Sequence, residues 1–218
     1  MSEIVEAFRG GGAFMYPIAL VQVFVAAVVI ERVFVLYFQA SVAKAALLKH
    51  VEKLVRAGQF DRAVKLAQEN RSPLGRVIVS GLRSVNERKE VVQMMMDEAA
   101  LCEVPHLEAR TGYLAMFSNV ATLSGLLGTI VGLIHSFGAV AKASAAEKST
   151  KLAEGISEAM NCTAFGLTVA IPSLLAYAVL QSKTHRLVDE IDEGSIHVYN
   201  IIVDVKEGFA RPTDPSQV

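Results

Sequence analysis

Residues 155–176 read GISEAMNCTAFGLTVAIPSLLA. Glu158 is the one charged side chain in this stretch, and Thr163 follows it in the same apolar run. A helix of about 20 such residues can span a bilayer. A carboxylate buried in hydrocarbon costs roughly 2.5 kcal/mol or more, so Glu158 is the first candidate for a functional group. The remainder of the chain is expected to hold Glu158 and Thr163 in a membrane and to give them a surface to face.

Upstream, no Lys, Arg, Asp or Glu occurs between Arg110 and Lys142. This predicts a second span at 113–137. Within it Ser118, Thr122, Gly125, Thr129, Gly132 and Ser136 recur at alternating intervals of four and three, which places them on one helix face. Such a face can line a polar path, or it can simply let helices pack closely; both readings stand, and Gly166 on the third span is open to both as well. The third span is expected at 156–182, bent at Pro172, with a polar loop at 138–155. Residues 14–30 are again uncharged and are followed by Glu31 and Arg32. They predict a first span at 14–38, with the charged pair at an interface and Pro17 in the first turn, where a missing N–H costs little.

Composition agrees with a mixed architecture. The 218 residues are 52% hydrophobic but 20% charged, with a mean hydropathy of +0.40. The expected fold is an all-α integral membrane protein of three transmembrane helices, with long helices extending into the cytoplasm and a helical cytoplasmic domain. A formal net charge of −1 offers no basic surface for nucleic acid. Cys102 and Cys162 have neither metal-ligand nor redox spacing and are expected as free thiols. With no Trp, the interfacial belt falls to Tyr, Phe and charged residues. Met1–Arg9 lacks the basic lead of a cleaved signal peptide.

The segment 39–112 has a different character. Ala43, Leu47, Val51, Leu54 and Val55 lie on one side of a helix that Gly58 stops, and Ala63, Leu66 and Ala67 repeat the pattern. Asn70–Pro73 reads as a turn, and Pro105 as a kink or restart of the last helix before the second span. Beyond 182, Leu187, Val188, Ile191, Val198, Ile202 and Val205 continue the third span as a charged helix over 183–210, followed by a disordered tail, 211–218. Counting Lys and Arg gives 16 on the side of 39–112 and the tail, against 4 on the side of 1–13 and 138–155. Positive charge marks the cytoplasm, so the N-terminus is expected in the periplasm and the C-terminus in the cytoplasm.

Several stretches carry a likeness that spans nearly the whole chain. They are MYPI at 15–18, SPLGRVIVSGL at 72–82, PHLEARTGYLAMFSNVATLSGLLGTIVGLIHSF at 105–137 and GISEAMNCTAFGLTVAIPSLLAY at 155–177. They resemble the ExbB/TolQ/MotA proton-channel family, and three spans resemble its ExbB/TolQ branch. The resemblance implies a homopentamer in the bacterial inner membrane, with spans two and three around a pore. It implies an ExbD/TolR-like single-span partner whose transmembrane Asp takes up and releases protons, and a TonB/TolA-like protein beyond it. Matched to the family motif, Thr129, Thr163 and Glu158 fall at the pore. Asn161-Cys162 departs from the common pattern, which leaves the role of position 162 open.

Each candidate also has a plainer reading. Glu158 can be a carboxylate at a helix start, favoured by the dipole. Thr129 and Thr163 can bond their own backbone. Glu31 and Arg32 read as an interfacial anchor, His135 as interfacial in preference to a proton relay, and Met94-Met95-Met96 as adaptable packing. The sequence holds no nucleophile–base constellation, phosphate loop or metal spacing, so neither enzyme activity nor a cofactor is expected. A proton-driven motor subunit is the leading expectation, and a non-conducting membrane scaffold is its rival.

Overall fold

The computed structural model describes residues 12–39, 44–70 and 72–210. Every described element is a helix. In chain order they are α1 (Met15–Val33, continued as a π-helical turn over Phe34–Gln39), α2 (Lys44–Arg56), α3 (Phe60–Glu69), α4 (Pro73–Arg83), α5 (Lys89–Glu108), α6 (Thr111–Lys142) and α7 (Lys148–Ala210). Three helical stretches are long and apolar enough to cross a membrane: Met15–Tyr37, the stretch ending at Lys142, and the stretch beginning at Lys148. The predicted position of Ala43 lies outside the described residues, as do 1–11 and the tail 211–218.

The chain divides into two compact units. The first contains the described residues up to Arg32 together with Arg110–Leu180. Here α1, α6 and the first half of α7 expose large apolar side chains, among them Leu20, Phe24, Leu123, Ile130, Ile134, Leu167, Ile171 and Leu175. Water does not tolerate so continuous an apolar surface; hydrocarbon does. The expected loop at 138–155 is shorter in the structure. Both helices run into it, leaving 143–147 as the connection. The reason lies in local chemistry. The Ser144 hydroxyl donates to Glu147 Oε2 at 2.7 Å and the Ser144 N–H at 3.3 Å. This is the carboxylate half of a capping box, which starts α7 early. Pro172 lies inside the continuous α7.

The second unit runs Val33–Ala109 and resumes at Gln181. Its small helices form as their sequence dictates. Leu47, Val51 and Val55 of α2 are buried, as are Ala63 and Ala67 of α3. Gly58, at φ +71°, ends α2: its N–H bonds the Val55 carbonyl at 3.0 Å, and the next N–H bonds that of Leu54 at 2.9 Å. Ser72 caps α4, its Oγ accepting from the Gly75 N–H at 3.0 Å, with Pro73 in the first turn. Helix α5 passes through Pro105 without breaking. The restart comes later, at Arg110, whose left-handed φ of 62° separates α5 from α6. Proline removes one N–H near the helix end, and the turn that follows absorbs the break. In the run Met94-Met95-Met96, Met96 is buried against Gly81, while Met94 is exposed.

The second half of α7 belongs to this unit. It buries Leu187, Ile191, Val198, Ile201 and Ile202, and Gly194 admits Leu74. Lys44 pairs with Glu193, Glu52 faces His197 at 3.6 Å, and Lys206 donates to the Glu87 carbonyl. Lys44 holds the Glu193 carboxyl below the usual carboxylate range, and Arg56 does the same for Glu52. Periodicity alone predicts a charged rod over 183–210; the structure adds what that rod packs on.

Candidate functional site

Helices α6 and α7 meet along small residues. A Cβ on Gly125 would stand 3.2 Å from the Cys162 carbonyl oxygen and 3.3 Å from both the Gly166 and Thr163 Cα atoms. One on Gly132 would stand 3.3 Å from the Ala159 Cβ, and one on Gly155 would overlap Ser136. Backbones this close are what small residues permit in the absence of water. Ser118, fully buried, donates to the Ala170 carbonyl at 2.9 Å, and Ser136 donates to the Lys151 carbonyl at 3.4 Å. The seam therefore carries interhelical hydrogen bonds toward both ends.

Thr129 and Thr163 face each other across this seam, half-buried, and their hydroxyls hydrogen-bond. Thr129 Oγ1 also lies 3.1 Å from the Gly125 carbonyl oxygen and 3.3 Å from that of Ala159; Thr163 Oγ1 lies 3.2 Å from the Gly125 oxygen. Each hydroxyl has one hydrogen and two lone pairs. Thr129 can donate to Thr163 while Thr163 donates to Gly125. Rotation of both hydroxyls lets Thr163 donate to Thr129 instead, which then bonds Gly125 or Ala159. The pair thus has two hydrogen-bonded directions.

The other candidates separate. Thr122 is exposed and donates to its own backbone at Ser118, 3.0 Å away. Glu158 is exposed and turned toward the start of α1, its Oε1 2.0 Å from where a Cβ on Gly12 would be. Gly12 has φ +70°, so it is glycine twice over, for backbone and for space. His135 is exposed and Cys162 buried; both cysteines are free thiols. Sequence reasoning missed Gly128 and the partner stripe on α7, namely Gly155, Ala159 and Ala170. Gly128 would meet the Cys162 Sγ and, at 3.1 Å, Phe14. The signal was present as small residues at helical spacing on α7, matching those on α6.

Three apolar helices, two of them sealed by a small-residue seam that carries paired hydroxyls, define an α-helical membrane protein. Residues 69–193 match the model of the MotA/TolQ/ExbB proton channel family. The chain belongs to that family, which is one of channels and not of enzymes. It is 30% identical over 173 residues to an ExbB-like 3 protein of Synechocystis sp., covering 79% of this chain and 82% of that one. An ExbB homologue from Methanothermobacter thermautotrophicus is 26% identical over 190 residues, 87% of this chain and 66% of the relative. The Tol-Pal system protein TolQ of Haemophilus influenzae is 38% identical over 85 residues, 39% of this chain and 37% of that protein.

Proposed function

We propose that the chain is the pore-forming subunit of a proton-driven motor in a bacterial inner membrane, assembled as a homopentamer. An ExbD/TolR-like partner with one span and a transmembrane Asp sits in the pore, and a TonB/TolA-like protein takes up the mechanical work. The N-terminus lies in the periplasm and the C-terminus in the cytoplasm. The observation that carries this reading is the Thr129–Thr163 hydroxyl pair bridging α6 and α7. Thr129 and Thr163 pass the proton, the partner's Asp stores it, and Glu158 forms part of the entrance or pore wall. The membrane potential contributes about 2.3 kcal/mol per charge per 100 mV.

The test is a double substitution, Thr129→Val with Thr163→Val. Valine keeps the shape and removes both hydroxyls. Proton flux in liposomes holding the chain and its partner should fall to background, while the complex still co-purifies. One observation favours the rival scaffold reading: both hydroxyls are also satisfied by backbone carbonyls of Gly125 and Ala159, as a purely structural seam would have them. A scaffold predicts no proton flux from the wild type and full envelope function in the double variant.

A further inference from the structure

Charged side chains gather where α1 ends and α6 begins. Glu31 Oε1 accepts from Arg110 Nη1 at 2.5 Å and from Arg32 Nη2 at 3.3 Å. The Arg32 side chain is 5% exposed and that of Arg110 is 58% exposed. Two guanidiniums share one carboxylate, so these three groups keep a net positive charge, and Arg110 is the one that presents it outward. Arg110 also occupies the start of α6, where its side chain makes no capping bond. The first turn of α6, where the Tyr113 N–H bonds the Arg110 carbonyl at 3.1 Å, adds the positive end of a 32-residue helix.

An aromatic column leads away from this cluster. The Phe117 ring lies 6.4 Å from Tyr113 and 5.9 Å from Phe24, with the Phe24 and Phe117 rings within 17° of parallel. Phe24 is 50% exposed and Tyr113 is 53% exposed. Phe24 precedes Glu31, and Phe117 follows Arg110, by about two helical turns, which sets the column roughly 10 Å deep from the charges. One face thus joins a cationic end to an aromatic, apolar strip of bilayer depth.

We infer that this face, between α1 and α6, holds one anionic phospholipid. Its phosphate lies on Arg110 and the first turn of α6, and an acyl chain runs over Tyr113, Phe117 and Phe24. The inference rests on the membrane orientation proposed above, which puts the headgroup in the cytoplasmic leaflet. An anionic lipid fits better than a zwitterionic one, because the carboxylate that could attract a choline is already engaged by both arginines.

The test uses the purified, delipidated complex in detergent, with native mass spectrometry reading bound phosphatidylglycerol and phosphatidylcholine. One basic residue near a membrane surface is worth about fivefold in affinity for an anionic lipid, so the wild type should prefer phosphatidylglycerol by about that factor. Arg110→Gln should bring the two lipids level. Glu31→Gln removes the competing carboxylate and should strengthen phosphatidylglycerol; a merely structural ion pair predicts the opposite, a loss matching that of Arg110→Gln. Phe24→Ala with Phe117→Ala should weaken both lipids alike. An unchanged preference in Arg110→Gln overturns the proposal, as does a face that binds neither lipid because a second copy of the chain covers it. Proton flux, measured separately with the threonine variants, reports on the motor reading whatever the lipid result.

Discussion

Replacing Gly166 with alanine tests the seam on which the hydroxyl pair depends. The added Cβ would lie 2.8 Å from the Ala121 carbonyl oxygen and 3.1 Å from the Gly125 Cα. Both are backbone atoms, so neither can swing aside. Ordinary contact begins near 3.4 Å, so α6 and α7 must separate by about 0.6 Å there. The Thr163–Gly125 hydrogen bond, already 3.2 Å, then stretches past useful range. Two effects compete. Helix propensity favours alanine over glycine by about 1 kcal/mol. Overpacking a close contact costs about 1–3 kcal/mol, and the lost hydrogen bond adds roughly 0.5–1.5 kcal/mol. The net effect is destabilising. Gly138, on α6 with nothing within 4 Å of its Cβ position, supplies the control: there only propensity acts. Thermal unfolding in detergent should show Gly166→Ala below the wild type and Gly138→Ala level with it or above. Proton uptake by liposomes should fall in Gly166→Ala alone. Equal stabilisation of both variants, with flux intact, would refute the argument that backbone contact sets the geometry of the site.

Two further outcomes follow from other parts of the first unit. Gly12→Ala meets both a left-handed φ and the Glu158 carboxylate. It should cost about 1–2 kcal/mol from the backbone even in a Glu158→Ala background, and more in the wild type; a double-mutant cycle by thermal unfolding separates the two parts. At the start of α7, the Ser144 hydroxyl and N–H hold the Glu147 carboxyl below the usual carboxylate range. A depressed carboxyl stabilises fully above its unfolded pKa and stops doing so as pH falls through the folded one. The first turn after Lys148 should therefore be protected from hydrogen exchange at pH 6 and frayed near pH 3, and Glu147→Ala, which removes the acceptor, should show the frayed pattern already at pH 6.

The fold was legible because its main signals are long. A run without Lys, Arg, Asp or Glu between Arg110 and Lys142 has few alternatives to a membrane helix, and the Ser118–Ser136 face repeats often enough to fix its direction. Short-range competition was harder to read. The 138–155 segment reads as loop from its polarity, yet Ser144 and Glu147 cap a helix within it. Pro105 reads as a break, but a proline near a helix end removes one bond and leaves the turn at Arg110 to decide where the axis changes. The site was half legible. Residues on α6 announce a face by spacing; the small residues on α7 have helical spacing too, but which of them meets which residue of α6 is set by the contact between the helices. That Glu158 turns toward Gly12 is likewise a property of two segments distant in sequence.

What the hydroxyl pair cannot do sets what the proposed partner must supply. A threonine hydroxyl neither ionises nor holds a proton near neutral pH, so in the proposed motor Thr129 and Thr163 would pass a proton without storing one. A motor that steps requires a storing group, a carboxylate whose charge changes with each proton. On this chain the candidate in the third span is Glu158, and it makes no hydrogen bond or ion pair among the described residues while facing the start of α1. It is placed at one end of the seam's helix and not at the paired hydroxyls, which sit on the α6–α7 contact. If the proposed partner's aspartate stores the proton, a definite result follows. Glu158→Gln should lower proton flux, because it alters the wall or entrance, but should leave a measurable fraction. Replacing the partner's transmembrane aspartate with asparagine should abolish flux. Both are read in liposomes carrying the assembled complex, with co-purification as the check on assembly. If Glu158→Gln alone abolishes flux in an intact complex, the storing carboxylate belongs to this chain, and the hydroxyl pair serves Glu158 instead of a partner helix.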